Sequence, residues 1–405
     1  MSISGAVESK ILLDSATLSE VRTTGGSNLR AARQGARLLL LAFAILLALD
    51  GLIFRLGPYK KILEPDSTTG EFELVLRREQ EAQRDYGDNL VVTLGNSRMA
   101  YYARDAAKLE PQTGYYLRHA GLAGTDARSW YYMMRDLDPT ASRYRAVVIA
   151  VNDYDDEDPF FSEASDLRVL HYAAVRLRLA DIPELVPSFP EWSSRWEALR
   201  SLLLKGYTYQ ADIQGFLDHP AKRLEYVRRA KRDYPLWTWD FVEENRNLKG
   251  LDIDFSTFKI TYPPNADQNQ RFTVENFLAH PPVPQLGKSA AFRREWVGKI
   301  LDRYRNSRTK VIFIRLPRGG IVRPDNLVKK LSSTVRDFAA ARPNVLLANE
   351  HAFDSLERRE LFKDGLHLND DGIKLFTVML SEEIARLLGP PAPNWQSLPD
   401  HPHTR

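Results

Sequence analysis

The sequence predicts an α/β fold, a three-layer sandwich with a roughly five-stranded parallel sheet, together with an N-terminal transmembrane helix and a large, mostly helical insertion. Three observations support this prediction. Short apolar runs alternate with helical segments in two parts of the chain, which is typical of a parallel sheet with helices on its faces. The run RAVVIAV (145–151) is continuously apolar, as strands buried on both sides are. Near the N-terminus, LLLLAFAILLALDGLIF (38–54) contains one charged residue, Asp50.

Composition narrows the possible functions. The chain has 405 residues, enough for two average domains or one large one. It contains no cysteine, which excludes disulfides, thiolate catalysis and cysteine-ligated metals. The net charge of +3 is small for this length and gives no reason to expect nucleic acid as a partner.

Residues 37–56 are predicted to be a transmembrane anchor. Spanning a bilayer takes roughly 17–25 apolar residues, so the run is at the short limit. Basic residues flank both ends, which orients the helix only weakly; they are Arg30, Arg33, Arg37, Arg55, Lys60 and Lys61. A cleaved signal peptide and a buried core helix are the alternatives. Residues 1–36 are rich in Ser, Thr, Ala and Gly and are predicted to form a disordered leader.

After a connecting segment, 57–87, the first part of the α/β domain is predicted over 88–154. The connecting segment ends in a predicted helix, 71–87. The elements predicted for the domain part are the strand 89–95, the helix 97–110, the strand 114–120, the helix 125–139 and the strand 145–151. Proline follows two of these helices, and proline ends a helix because it lacks the backbone N–H group.

The alternation of strands and helices stops over 155–288, which is predicted to be an inserted subdomain or a set of long excursions. It returns over 289–390, the second part of the domain. The elements there are a helix at 289–306, a strand at 310–316, a helix near 325–341, a strand at 344–348 and a helix at 370–388. Residues 391–405 are predicted to be a flexible tail.

The motif LGNSRMA (94–100) places Ser97 at the carboxyl end of a predicted parallel strand, where a helix begins. Ligands bind at this end of open α/β sheets, and a helix N-terminus offers unpaired N–H groups and a positive dipole. Ser97 is therefore a candidate nucleophile. The alternative is that Ser97 only caps the helix.

The motif VIAVNDYDDED (148–158) places Asn152 directly after a buried-type strand. Its side-chain amide is a candidate donor to an oxyanion, and a simple turn is the alternative. The acidic residues that follow do not have the spacing of an EF-hand calcium loop, so a solvated loop is the better interpretation.

The motif KDGLHLNDDGIKLF (363–376) places Asp364 three residues before His367. At this spacing the carboxylate can bind one imidazole nitrogen, fix the tautomer and stabilise the imidazolium formed in general-base catalysis. Asn369 or Asp370 is predicted to cap the following helix. The alternative is a surface histidine beside a helix cap.

Taken in order, a serine after the first strand, a glycine after the second, an asparagine after the third and D-x-x-H before the last helix resemble the SGNH, or GDSL-type, hydrolase superfamily. The resemblance covers roughly 88–153 and 289–390. It implies that Ser97 is the nucleophile, His367 the general base and acid, and Asp364 its orienting partner. The implied oxyanion donors are the Ser97 N–H, the Asn152 side chain and the N–H of Gly124, with Gly121 as the rival to Gly124.

Two motifs depart from the family pattern. The first block reads Gly95-Asn96-Ser97 where the family usually has G-D-S, and the third block has Ala150 where the family usually has glycine. Neither change removes a catalytic group. No metal or cofactor is implied.

The site and the anchor together are similar to accessory proteins of cell-surface polysaccharide acylation. The resemblance implies an esterase or O-acyltransferase that acts on an acylated glycan, with a multi-spanning membrane acyltransferase as a possible partner. It also implies a single-pass protein of a bacterial cytoplasmic membrane whose catalytic domain faces the periplasm or the cell exterior. A lipase-like acylhydrolase and a catalytically silent scaffold are the alternative functions.

The segment AKRLEYVRRAKRDYPLW (221–237) is strongly basic. It is a candidate contact for membrane head groups or for an anionic polymer. The alternative is a solvated helix that packs through Leu224, Val227 and Tyr234. The tryptophans of the insertion are candidates for stacking on sugars, or else core packing; they are Trp192, Trp196, Trp237 and Trp239.

Overall fold

The computed structural model describes residues 15–82, 87–100, 113–151, 167–233, 246–279, 288–319, 321 and 333–392. The chain divides into two compact units, Met1–Gly57 and Pro58–Arg405.

The first unit is one long helix, α1, which covers Ser15–Asp50 and continues into a π-helical turn at Gly51–Arg55. Its apolar region is long and apolar enough to cross a membrane, with a mean hydropathy of 2.3, and it is only 6% buried, unlike a core helix. Residues 15–36 are helical, which differs from the disordered leader expected over 1–36; residues 1–14 lie outside the described residues. Each residue added to an existing helix gains a hydrogen bond, which favours this extension.

The second unit contains the predicted five-stranded parallel sheet. The strands are β1 (Leu90–Leu94), β2 (Tyr116–His119), β3 (Ala146–Val151), β4 (Asp252–Asp254), β5 (Lys259–Thr261), β6 (Lys310–Arg315) and β7 (Val345–Leu347). The sheet order is β2-β1-β3-β6-β7, with every neighbouring pair parallel. Strands β4 and β5 form a separate antiparallel hairpin. The order reverses between β1 and β3, and in open α/β sheets a ligand crevice forms at such a point, outside the carboxyl ends of the strands.

The second unit is rich in helices. They are α2 (Thr68–Ala82), α3 (Ser97–Ala100), α4 (Ala127–Leu137), α5 (Arg168–Tyr172), α6 (Ile182–Leu185), α7 (Trp192–Leu203), α8 (Lys205–Thr208), α9 (Gln210–Asp218), α10 (Pro220–Asp233), α11 (Gln268–Ala279), α12 (Lys288–Arg303), α13 (Ser333–Ala341) and α14 (Asp370–Leu388). The predicted continuation of α3 to residue 110 and the start of the helix predicted near 325 lie outside the described residues.

Alternate side chains along each strand enter two different hydrophobic clusters. Val92 and Phe313 lie in the first cluster, with residues of α2, α4 and α12. Val91 and Ile312 lie in the second cluster, with residues of α14. Because successive residues of a strand point to opposite faces, apolar side chains cover both faces of the sheet.

The predicted insertion contributes to both clusters. Among its described residues it is mostly helical, from α5 to α11 with the β4–β5 hairpin between. Leu202 lies in the first cluster, whereas Ile253 and Val274 lie in the second. Its described residues are therefore long excursions that pack on the sheet, and not a subdomain with its own core.

Candidate active site

Ser97 begins the short helix α3 just beyond Leu94, the last residue of β1. Gly95 makes this turn possible, because a Cβ atom at Gly95 would lie 2.5 Å from Cγ of Met99. Asn96 caps the turn: its Oδ1 accepts a hydrogen bond from the Arg98 N–H at 3.1 Å. The side chain that caps the turn is therefore Asn96, and the hydroxyl of Ser97 has a different partner.

That partner is His367, which is 270 residues away in the sequence. Ser97 Oγ lies 2.8 Å from His367 Nε2. On the other side of the ring, His367 Nδ1 lies 2.8 Å from Oδ2 of Asp364 and 3.0 Å from its Oδ1. These distances are within hydrogen-bond reach for a nucleophile and its base, and for the base and its orienting acid. The structure thus brings the three predicted residues together in the order hydroxyl, imidazole, carboxylate.

Asp364 is buried, with 6% of its surface exposed, yet its environment favours the charged form. Burial acts to raise the pKa of Asp364, but the charge of His367 and hydrogen bonds from its side chain and backbone outweigh burial, and the pKa is lowered. The backbone N–H groups of Leu366 and His367 both donate to Oδ1, each at 2.8 Å. A carboxylate held in this way remains ionised and keeps Nδ1 of the imidazole protonated.

The loop that contains Asp364 and His367 is closed at its base by backbone contacts. Phe362 and Leu368 form an isolated antiparallel bridge. The Lys363 N–H donates to the His367 carbonyl at 2.9 Å. Burial lowers the pKa of the Lys363 ammonium, partly offset by nearby carboxylates including Asp364. The tight loop fixes the distance between the acid and the imidazole.

The segment that follows β6 contacts both halves of the site. Arg98, directly after Ser97 and buried, donates from Nη2 to the Pro317 carbonyl at 2.7 Å. Gly319 lies so close to the loop that a Cβ atom there would be 2.8 Å from the carbonyl oxygen of Gly365. The turn at Ser97 and the acid–histidine loop are therefore linked through one short stretch of backbone.

Of the two proposed oxyanion donors beyond Ser97, one lies within the described residues. Gly124 has a φ of +70°, a backbone conformation that favours glycine because other residues are strained there. Its loop is tied to the turn before Ser97, because Leu122 N–H and Thr125 Oγ1 both donate to the Gly95 carbonyl, at 3.1 and 3.2 Å. Asn152 lies outside the described residues and stays a prediction.

Reasoning from the sequence missed Gln270. Its side chain is buried and donates from Nε2 to the Lys363 carbonyl at 2.6 Å. The Asn369 side chain also reaches the middle of the chain, donating to the Arg246 carbonyl at 3.2 Å while it caps α14 through Gly372 N–H at 3.0 Å. A glutamine in a segment without clear periodicity gives no signal of such a role. The choice left open between Asn369 and Asp370 is decided for Asn369.

Within the described part of the chain, no group of three or more His, Cys, Asp or Glu side chains is arranged to hold a metal ion. No protein-family model matches the chain, and no curated protein matches it significantly in sequence. The functional interpretation therefore depends on the geometry of the site and on the motifs.

Proposed function

We propose that the chain is an SGNH-type serine hydrolase that acts as an O-acetylesterase or O-acyltransferase through Ser97, His367 and Asp364. The observation that supports this most directly is the 2.8 Å distance between Ser97 Oγ and His367 Nε2. A silent scaffold would not require a buried carboxylate, an imidazole and a hydroxyl aligned at hydrogen-bond distances. The aligned triad therefore favours an enzyme over the scaffold alternative.

In the proposed reaction, Ser97 Oγ attacks the carbonyl carbon of an ester while His367 Nε2 takes the hydroxyl proton. The tetrahedral intermediate collapses, the bond to the leaving alcohol breaks, and the imidazolium returns the proton to that alcohol. Water or an acceptor hydroxyl then attacks the acyl-serine and loses its proton to Nε2. The second intermediate collapses, the bond between the acyl carbon and Oγ breaks, and the imidazolium returns the proton to Ser97. Asp364 accepts the Nδ1–H bond throughout and stabilises the imidazolium.

The proposed oxyanion donors are the N–H groups of Ser97 and Gly124 and the amide of Asn152. Two of them would belong to tight turns, at the start of α3 and in the loop before α4. Backbone donors in such turns are fixed before the substrate arrives, which is what makes oxyanion stabilisation effective.

We further propose the three-layer sandwich of the SGNH fold, with helices of the two hydrophobic clusters on opposite faces of the sheet. α1 is proposed to anchor the protein in a bacterial cytoplasmic membrane with the catalytic unit outside. The proposed substrate is an acylated extracytoplasmic glycan, with a multi-spanning acyltransferase as a candidate partner. These assignments follow from resemblance, and the apolar helix is their structural support.

The test is active-site labelling of the full-length protein in native membranes with a fluorophosphonate probe, followed by mass spectrometry of the labelled peptide. We expect the adduct on Ser97, and no adduct in Ser97→Ala or His367→Ala. His351→Ala is a matched control, because His351 also pairs with an aspartate, Asp354, at 2.9 Å but has an exposed side chain.

Labelling of His351→Ala should equal that of the unaltered protein. Absence of label on Ser97 in folded protein, or equal labelling of His367→Ala, would contradict the proposed triad. Acetate release from O-acetylated polysaccharides, compared with hydrolysis of long-chain p-nitrophenyl esters, then separates the glycan esterase from the lipase-like alternative.

A further inference from the structure

Helix α10 has one packed face and one exposed face. Val227 and Ala230 are buried, whereas Lys222, Arg228 and Arg229 are exposed. The alternative interpretation of 221–237 was a solvated helix that packs through Leu224, Val227 and Tyr234. Val227 does pack, but Leu224 is 37% exposed and Tyr234 lies outside the described residues.

Among the basic residues over 221–230, where the burial of α10 is described, Arg223 is buried and faces inward. Its Nε lies 2.5 Å from Oε2 of Glu64, and its Nη1 lies 3.0 Å from Oδ1 of Asp212. The same nitrogen donates to the Ile62 carbonyl at 3.2 Å. Its charge is therefore used inside the fold, and its binding partners hold α10 against the start of the second unit.

That start is also held by tyrosines. The Tyr59 hydroxyl donates to Asp212, and its ring lies 5.4 Å from that of Tyr209. The Tyr226 hydroxyl of α10 donates to Asp66. The Ile62 carbonyl that Arg223 contacts lies eight residues after Phe54, the last residue of the apolar run, and eight residues of fully extended chain cover at most about 29 Å. The length of this covalent tether thus sets an upper limit on how far Arg223 can lie from the end of that run.

The exposed face of α10 carries more cations than carboxylates, and a cavity lies beside it. Among the exposed residues of 221–229, the only carboxylate is Glu225, against the three cations Lys222, Arg228 and Arg229. A cavity of about 560 Å³ opens here, lined by the cations Lys222, Arg223 and Arg229 and by the carboxylates Glu64 and Glu225. Leu217, at the end of α9, is 65% exposed. On α10 itself Leu224 is 37% exposed, and cations on a helix that also exposes an apolar side chain are typical of a helix that lies on a membrane surface.

We propose that the exposed face of α10 binds the phosphate head groups of anionic phospholipids in the membrane that α1 spans. Basic residues next to a membrane segment are attracted to an anionic bilayer surface, and the tether keeps these cations within reach of it. The contact would restrict rotation of the second unit about its tether. This inference rests on the proposed anchorage and is independent of the Ser97 site.

The absence of cysteine permits a single-site test. Full-length Ala221→Cys, labelled with an environment-sensitive fluorophore, is reconstituted into nanodiscs that contain a lipid with a head-group spin-label quencher. The bilayer is either phosphatidylcholine alone or phosphatidylcholine with phosphatidylglycerol. We expect at least twofold stronger quenching in the anionic discs. Adding Lys222→Gln and Arg228→Gln should remove the difference, whereas Arg305→Gln and Lys374→Gln, which neutralise two exposed cations elsewhere, should not.

Each other outcome overturns the proposal in a distinguishable way. Failure of the protein to enter discs of either composition would remove the anchorage and this inference with it. Entry with equal quenching in both lipids would remove the head-group contact alone. Emission that responds to soluble polygalacturonate in neutral discs, and not to lipid charge, would assign the face to an anionic polymer. Fluorophosphonate labelling of Ser97 is measured in the same samples, so that the triad is judged separately.

Discussion

Gln270 donates a hydrogen bond from Nε2 to the carbonyl oxygen of Lys363 at 2.6 Å, one residue before Asp364. Gln270 is itself held by Asp267, because the N–H of each residue donates to the side chain of the other, at 2.8 and 3.1 Å. The middle part of the chain therefore supports the loop that contains the acid and the histidine. Without this contact the Lys363 carbonyl would lose a donor at the point where the loop turns.

Gln270→Leu should lower the rate of Ser97 labelling about 10-fold, since losing a buried hydrogen bond costs roughly 1–3 kcal/mol and loosens the triad geometry. Gln270→Glu, which keeps the shape but cannot donate when ionised, should show a similar loss. Gln214→Leu is the matched control. The Gln214 side chain is exposed and donates a hydrogen bond to Asp218, the last residue of the same helix. If both Gln270 variants labelled Ser97 at a rate within twofold of that of the unaltered protein, Gln270 would not support the triad geometry.

Asp364→Asn should reduce the labelling rate about 100-fold or more, because an amide in place of the carboxylate favours the wrong imidazole tautomer. The fold should persist, since Oδ1 of asparagine can still accept the N–H bonds of Leu366 and His367. The measurement is the second-order rate constant for labelling, with circular dichroism as a check on folding. Asp371→Asn, an exposed carboxylate of α14, should label normally; a normal rate in Asp364→Asn would contradict the assigned role.

The stability that Asp364 contributes should disappear in acid. Its pKa is lower in the folded chain than its ordinary value, because the charge and hydrogen bonds of His367 outweigh burial. The contribution is therefore fully present above the unfolded pKa and is lost as pH falls through the folded pKa. The difference in thermal midpoint between the unaltered protein and Asp364→Asn should shrink as pH falls from about 5 through the folded pKa. If the difference in thermal midpoint instead grew as the pH fell, the pKa of Asp364 would be raised in the folded chain and not lowered.

Gly95→Ala should destabilise the fold by about 1–3 kcal/mol and slow labelling, because the added Cβ would overlap Met99 beneath the Ser97 turn. Thermal unfolding and the labelling rate are the measurements, and adding Met99→Ala should restore little of either, because the Cβ atom of residue 99 would still lie 2.7 Å from the added atom. Gly298→Ala is the control: its Cβ would be 4.0 Å from the Phe338 ring, inside helix α12, so stability should hold or rise. Equal effects of the two substitutions would contradict a steric cause.

The elements that the sequence predicted correctly are those governed by local chemistry. The apolar run 145–151 corresponds to β3, and the helix predicted over 370–388 is α14, with Asn369 at its start and Gly389 at its end. Periodicity, capping side chains and the conformational freedom of glycine act within a few residues. Asp364 and His367 also belong to this class, because they lie only three positions apart.

The contacts between distant segments were decided only by the tertiary structure. The sequence suggested that Ser97 and His367 act together, but the 2.8 Å distance between them depends on contacts between distant segments. The segment after β6 makes these contacts, because Pro317 accepts a hydrogen bond from Arg98 and Gly319 packs against Gly365. No sequence pattern predicts the hydrogen bond from Gln270 to the loop or the burial of Arg223 against Glu64 and Asp212. Such contacts arise when buried polar groups find partners across the folded chain, and that pairing has no period along the sequence.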